Sequence, residues 1–438
     1  MAGEYDAVPL GEVALVRSGF AFKSSDWTET GIPVVKIANV KDGRLVMDTC
    51  SFVPQPVADS AAEFALRAGD ILIAMTGYIG DVAKVRERDL PAAINQRVGR
   101  FTVRDPRRLD QGFLFYLLRD AEVRKEIEGL GYGSAQPNVS PSLIHSVEVP
   151  LPPLPDQRAI AHILGTLDDK IDLNRRMNET LEAMARALFK SWFVDFDPVR
   201  AKTEGRDPGL PQLLAELFPD SFEDSELGEI PKRWGVERLS DVMTFEGGSQ
   251  PPASEFVSEP REGHVRLVQI RDFYSSNHVT FVPDTAKLRK FATDDIMIAR
   301  YGSSGNAEKP SDSLARICRG LSGAYNVALV KVIPHRPIRE FIGHFLQSPA
   351  FQVVIKGMGA RSVQSGFRKE DLDVISIVTA SDSVHVAFER FAGDVWRQTH
   401  ATNNLSRSIA RLRDSLLPKL ISGEVRVNDT KVLERVTT

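Results

Sequence analysis

Apolar and polar positions follow two rhythms along this chain, and the alternation of the two rhythms occurs twice. Runs rich in Ile, Val and Leu at 34–40 (VVKIANV) and 71–74 (ILIA) have the character of strands, and 267–273 (LVQIRDF) and 296–299 (IMIA) repeat them. The runs 71–74 and 296–299 each follow an acidic turn, Asp70 or Asp295, and lead into a loop with two glycines three apart, Gly77 and Gly80 or Gly302 and Gly305. Segments beginning at Phe113 and Phe341 then predict helices that end at glycines. After a polar loop and a short strand, PLPPLPD at 150–156 is extended punctuation, and Asp156 is placed to cap a helix running to about Phe193. A matching helix starts near Ser383 and is expected to stop near Leu417, before Pro418.

The two helices agree position by position. Met177, Leu181, Met184 and Leu188 recur as Leu405, Ile409, Leu412 and Leu416, each pair separated by one interval (405 − 177 = 228), and Gly165 and Gly393 keep it. In the preceding domains the interval drifts to 225 for Asp70 and Asp295 and to 231 for Asn95 and Asn326. The chain is therefore two diverged copies of one unit, a globular part followed by a long helix. Steps of four, three and four along each helix make a seam for another helix, while the interior glycines predict a kink. A helix of about 35 residues is about 50 Å long.

The expected fold is mixed α/β (α+β): two globular domains separated by two long helices that pair as an antiparallel coiled coil, with a pseudo-two-fold internal repeat. Its divisions are a domain at 1–155, a helix at 156–196, a proline- and acid-rich linker at 197–232, a domain at 233–382, a helix at 383–424 and a tail at 425–438. The linker carries one short amphipathic stretch at 212–218.

Composition narrows the class without naming a function. With 42% hydrophobic and 26% charged residues, the 438-residue chain is that of a soluble globular protein. Two cysteines at unmatched positions, Cys50 and Cys318, form no disulfide framework and point to a reducing, cytoplasmic setting. No apolar run approaches the ~20 residues that span a bilayer. A net charge of −4 argues against coating nucleic acid by bulk charge but not against local basic faces.

Catalytic patterns are missing from the sequence. No glycine loop ends in Gly-Lys-Ser/Thr, and the paired-glycine loops are best taken as tight turns. The eight histidines are scattered without metal-ligand spacing. Asp195-Phe-Asp-Pro resembles the acidic-proline corner of an amino-methyltransferase but lacks its second proline and aromatic, so these carboxylates are expected to cap a helix end. The loops instead carry side chains that hydrogen-bond base edges and phosphates. In the first copy these are Lys23, Lys36, Tyr78, Asn95, Gln96, Arg97, Gln136 and Asn138; in the second, Gln250, Arg266, Gln269, Arg271, Arg300, Tyr301, Asn326, Arg361 and Gln364. A shared frame with different polar residues, such as Met75 against Arg300, suits two readers of two different half-sites. A self-contained methyltransferase or nuclease and a coiled-coil adaptor that never touches DNA are the alternatives.

Four stretches, PLPPLPDQRAIAHILGTLDDKID, ALFKSWFVDFDPV, LGEIPKRWGVERLSDV and DSLLPKLISGEVRV, interleave with the two variable domains in this order. Over nearly its whole length the chain resembles the specificity (S) subunit of type I restriction-modification enzymes. The resemblance implies two target-recognition domains that read a bipartite, asymmetric site in double-stranded DNA, with paired helices that set the spacer. It further implies a non-catalytic subunit that binds two modification (methyltransferase) subunits and, through the complex, two restriction (motor-nuclease) subunits. S-adenosylmethionine, ATP and Mg²⁺ would then belong to those partners and no cofactor to this chain, and no membrane is involved.

Overall fold

The computed structural model describes residues 5–131, 137–273, 278–302, 313–359 and 366–427. The chain divides into two units, Met1–Asn174 with Asn404–Thr438 and Arg175–Asn403. Each contains one α/β domain and a length of each long helix.

Both domains follow one plan. In the first, an antiparallel sheet has the order Ala14–Ser18, Val98–Val103, Ile71–Ala74, Val82–Lys84. In the second, the order Met243–Gly247, Leu329–Pro334, Ile296–Ala299, Ile317–Cys318 repeats it. The strands Ile71–Ala74 and Ile296–Ala299 are buried at every position, which accounts for their continuous rather than alternating apolar pattern. Asp70 accepts from the Arg67 backbone N–H at 2.9 Å and Asp295 from that of Ala292 at 2.8 Å, so each acidic turn closes on its own backbone before the strand.

A second sheet in each domain contains a parallel pair, Ile32–Val35 with Ala93–Ile94 and His264–Val268 with Gly323–Tyr325. Its last strand leads through Asn95 or Asn326 into the first sheet. Here Gly19 and Gly248 pass so close to the Asn95 and Asn326 carbonyls that neither admits a Cβ; one built on Gly19 would lie 2.5 Å from the Asn95 oxygen. Each domain closes by pairing its first and last strands, Ala7–Pro9 with Glu148–Pro150 and Gly235–Arg238 with Ser376–Thr379.

The short helices that lie against the long ones are capped differently. Asp110 caps Gln111–Leu117 by accepting from the Phe113 N–H at 3.0 Å. At the equivalent position before Arg339–Gln347 stands Ile338, and a carboxylate from the long helix takes over: Glu389 accepts from Glu340 and Phe341 N–H at 3.0 and 2.8 Å.

The long helices are Leu154–Phe193 and Asp382–Ser422, and they run antiparallel within each unit. In the first unit Ile160, Ile163 and Leu164 share a core with Leu417, Leu420 and Ile421, and Asn174 donates to Ser406 Oγ at 3.0 Å. In the second, Phe189 and Trp192 pack on Phe388, and Asn178 donates to Asn403 Oδ1 at 2.8 Å. Buried amide contacts of this kind fix the register of a helix pair.

Four expectations change. The seam does not run along the eight positions marked by the apolar steps: Met177, Met184, Leu405 and Leu412 are exposed, and Leu181, Leu188, Ile409 and Leu416 are half-buried. The buried line is rotated by one residue, through Asn174, Asn178, Ala185 and Phe189, where Asn174 reaches Ser406, Asn178 reaches Asn403 and Phe189 packs on Phe388. The first helix begins at Leu154 with Pro155 in its opening turn, where a proline's missing N–H costs nothing, so Asp156 lies inside the helix rather than capping it. The second continues through Pro418 to Ser422 and passes Gly393, as the first passes Gly165, without interruption. Residues 197–232 are folded, with a helix Asp197–Thr203 and a hairpin of Phe222–Ser225 with Gly228–Pro231. Phe196, Val199, Phe218 and Ile230 anchor this segment in the core of the second unit.

Candidate nucleic-acid interface

In the first unit the candidate loops converge at one end of the four-stranded sheet. The turn after Ile71–Ala74, the Asn95–Arg97 turn and the segment before Pro141–His145 are joined by backbone hydrogen bonds through Met75: its N–H donates to the Arg97 carbonyl at 3.0 Å, and its carbonyl accepts from Val139 N–H at 2.9 Å. Thr76 and Asn138 form an isolated bridge alongside. An open cleft of about 530 Å³ results, lined by Ser18, Met75, Thr76, Gln96, Arg97 and Asn138 among others.

Gln96 and Arg97 are exposed, and among the described residues their side chains make no hydrogen bond or ion pair. The Asn138 amide oxygen accepts from Thr76 Oγ1 at 2.6 Å. Tyr78 is exposed beside the cleft with the Lys41 ammonium 5.9 Å from its ring centre, and Lys23 is exposed at the start of a 3₁₀ turn. Asn95 has another task, since its side-chain oxygen accepts from the Arg97 N–H at 3.5 Å and shapes the turn. Lys36 is also occupied, donating to Ser51 Oγ at 2.8 Å and lying 3.8 Å over the Trp27 ring. Gln136 lies outside the described residues. The hydroxyls of Ser18 and Thr76 belong to the cleft but were not among the sequence candidates; the only sequence signal was their place beside Gly19 and Gly77.

The second unit brings Arg300, Tyr301 and Asn326 to the same end of the equivalent sheet, keeps Arg266, Gln269 and Arg271 on or just after a strand of its other sheet, and commits several of these side chains internally. Tyr301 bridges Gly366, as Thr76 bridges Asn138. Arg300, in the position of Met75, donates from Nε to the Phe367 carbonyl at 3.0 Å and lies 5.3 Å from the Tyr301 ring centre. Arg266 pairs with buried Asp272 at 2.9 Å, Gln269 is held through its backbone N–H by the same carboxylate at 2.7 Å, and Arg271 donates to Thr280 Oγ1 at 2.7 Å. Asn326 repeats the role of Asn95, accepting from Ala328 N–H at 3.2 Å. Gln250 is exposed, and Arg361 and Gln364 lie outside the described residues.

No helix of the described residues is long and apolar enough to cross a membrane. Among those residues, no group of three His, Cys, Asp or Glu is placed to hold a metal ion.

Residues 3–183 match the family model for the type I restriction modification DNA specificity domain. The chain is 34% identical over 189 residues to the MjaVIII type I restriction enzyme specificity subunit of Methanocaldococcus jannaschii, covering 42% of this chain and 44% of that one. It is 25% identical over 369 residues to the HindI type I restriction enzyme specificity subunit of Haemophilus influenzae, covering 72% and 77%. A crystal structure of the type I restriction-modification S subunit from M. genitalium superposes with a TM-score of 0.59 at 15% identity, covering 96% of each chain, which is a likeness of fold.

Proposed function

We propose that the chain is a specificity subunit of a type I restriction-modification enzyme, a reading supported by the family-model match over residues 3–183 and by its relatives, and that its two domains each read one half of a bipartite, asymmetric DNA site. The observation that carries the reading is one frame with two chemistries. Both units gather polar side chains at the same end of the same sheet, yet Met75 and Asn138 of the first become Arg300 and Gly366 of the second. Base edges in the major groove are read by such side chains, and changing them on a constant frame changes the base read.

The long helices set the spacer between half-sites and seat the modification subunits. Each unit presents one pair of exposed apolar residues at equivalent helix positions, Leu405 (49% exposed) and Leu412 (38%) in the first and Met177 (39%) and Met184 (50%) in the second. Two like patches suit two copies of one partner, the methyltransferase subunit that modifies adenine at N6 with S-adenosylmethionine. Restriction subunits using ATP and Mg²⁺ join through the complex, which works in the cytoplasm, and this chain itself carries no catalysis.

Sequencing of methylated adenines from the complex reconstituted with its modification subunits tests the reading, and a bipartite motif is expected. Matched four-residue insertions after Asn174 and Asn403 should lengthen the helix pair by about 6 Å and the spacer by nearly two base pairs at ~3.4 Å each. An unchanged spacer refutes the ruler. Transfer of labelled methyl groups to DNA by this chain alone would make it an enzyme, and adenine methylation unaltered by loss of its gene would make it an adaptor.

A further inference from the structure

We propose that Arg97 and Asn138 together read a guanine in the half-site of the first unit; the assignment rests on the recognition reading above and adds the base. The two residues belong to one hydrogen-bonded backbone network. Arg97 O accepts from Met75 N–H at 3.0 Å, Met75 O accepts from Val139 N–H at 2.9 Å, and Thr76 bridges Asn138 beside them. Their positions relative to each other are therefore set by the sheet end rather than by a flexible loop.

The polarity of the cleft follows from how Asn138 is held. Thr76 Oγ1 donates to Asn138 Oδ1 at 2.6 Å, which engages the acceptor end of the amide with the protein. The two N–H groups of Nδ2 are left without a partner among the described residues, on an exposed side chain lining the opening. Arg97 adds a guanidinium, which has five donors and no acceptor. Among the described residues no Asp or Glu lines the cleft, so none of them offers a carboxylate to accept from a cytosine N4 amine. Gln96 can present either end of its amide and does not discriminate by itself.

A donor-rich surface selects the base edge that shows adjacent acceptors. In the major groove that edge is guanine, with N7 and O6 side by side, whereas adenine sets an N6 donor next to its N7. The second unit lacks this pair: Gly366 stands at the bridge position of Asn138, and Ala328, whose carbonyl accepts from the Arg300 N–H at 2.9 Å, stands at the position of Arg97. The assignment is thus specific to the first half-site.

The test uses the complex reconstituted with its modification subunits, reading the methylated motif and the affinity for motif DNA. In the parent, the half-site assigned to the first unit should contain a guanine at which 7-deazaguanine, lacking N7, weakens binding roughly fivefold or more. Arg97→Ala should relax that one position, leave the other half-site unchanged and lose sensitivity to the deaza substitution. Asn138→Asp keeps the acceptor for Thr76 but puts an oxygen where the N–H groups were, and should disfavour guanine there. Relaxation at an adenine, thymine or cytosine overturns the assignment, as does uniform weakening on all DNA, the mark of a phosphate contact. In either case an intact bipartite motif would leave the recognition reading standing. A complex that yields no bipartite motif overturns that reading, and this assignment with it.

Discussion

Replacing Asp168 by Ala should loosen the first unit and spare the second. In the first unit the Asp168 carboxylate joins both domain and helices: it accepts from Tyr116 Oη at 2.9 Å, Arg119 Nη1 at 3.0 Å and Arg413 Nη1 at 2.5 Å. The side chains of both arginines and the aspartate are only 13–16% exposed. Removing the carboxylate leaves two half-desolvated guanidinium groups facing one another, and breaking such a buried pair costs about 3–5 kcal/mol. Arg413 keeps Asp414, and Arg119 keeps the face of Phe115, so the low end, about 3 kcal/mol, is expected. For a unit of roughly 200 residues, that lowers its melting midpoint by about 6–12 °C. At the equivalent place in the second unit stands Trp396, stacked on His400 and lying 4.0 Å from the Arg319 guanidinium, with Ala185 in the position of Arg413. Scanning calorimetry with hydrogen exchange should therefore show lost protection confined to 111–174 and 404–422. Asp168→Asn, which keeps an acceptor, should cost about half as much. A midpoint within about 2 °C of the parent, or equal loss of protection in 175–403, would refute the argument.

Other substitutions separate helix, partner and titration effects. Gly165→Ala and Gly393→Ala should each stabilise by about 0.5–1 kcal/mol, because an added Cβ meets only Tyr116 Oη at 3.7 Å or the movable end of Arg397 at 3.4 Å. Gly19→Ala, forced against backbone at 2.5 Å, should melt well below the parent; equal melting would contradict the close approach. Met177→Glu or Leu405→Glu, on exposed positions, should leave the fold intact and reduce the bound modification subunits from two to one by native mass spectrometry. Two retained copies would remove these patches from the docking surface. His385, whose Nε2 accepts from the Ala380 N–H at 3.1 Å, is pushed from 6.5 down to about 4 by burial and then by Arg336. The unfolded chain therefore binds the extra proton first, so the contribution of His385 to stability should fall as pH drops from 6.5 toward 4, by about 3 kcal/mol, and stay level above 6.5. Gln157 holds the equivalent place in the first helix, so His385→Gln should abolish that slope in the parent-minus-variant difference, and a persisting slope would assign it elsewhere.

The limits of the sequence reading have physical causes that individual residues expose. Asp70 and Asp295 were legible because the turn they make is local, three residues from carboxylate to N–H. The helix seam was misplaced by one residue because Asn174, Asn178 and Ala185 carry little hydrophobic signal, while exposed Met177 and Met184 carry much. The folding of 197–232 was hidden because a few irregularly spaced aromatics, Phe196, Phe218 and Phe222, anchor an otherwise acidic segment. Which candidate cations are already spent could not be read locally, since Lys36 reaches Ser51 and Arg300 reaches Phe367. The duplication supplies a criterion that a single copy lacks. Asn95 and Asn326 stay the same in both units, and both spend their side chains on the next turn of their own backbone. Met75 and Asn138 differ from Arg300 and Gly366, although the bridge beside them persists with either set. Positions that build the frame keep one residue and one local hydrogen bond in both copies, whereas positions that face the cleft differ while the backbone bridge beside them persists. A loop residue that differs between the copies on an unchanged backbone ladder is therefore the stronger candidate for contact with a base, which places Asn138 ahead of Asn95 although both are asparagines in the same cluster.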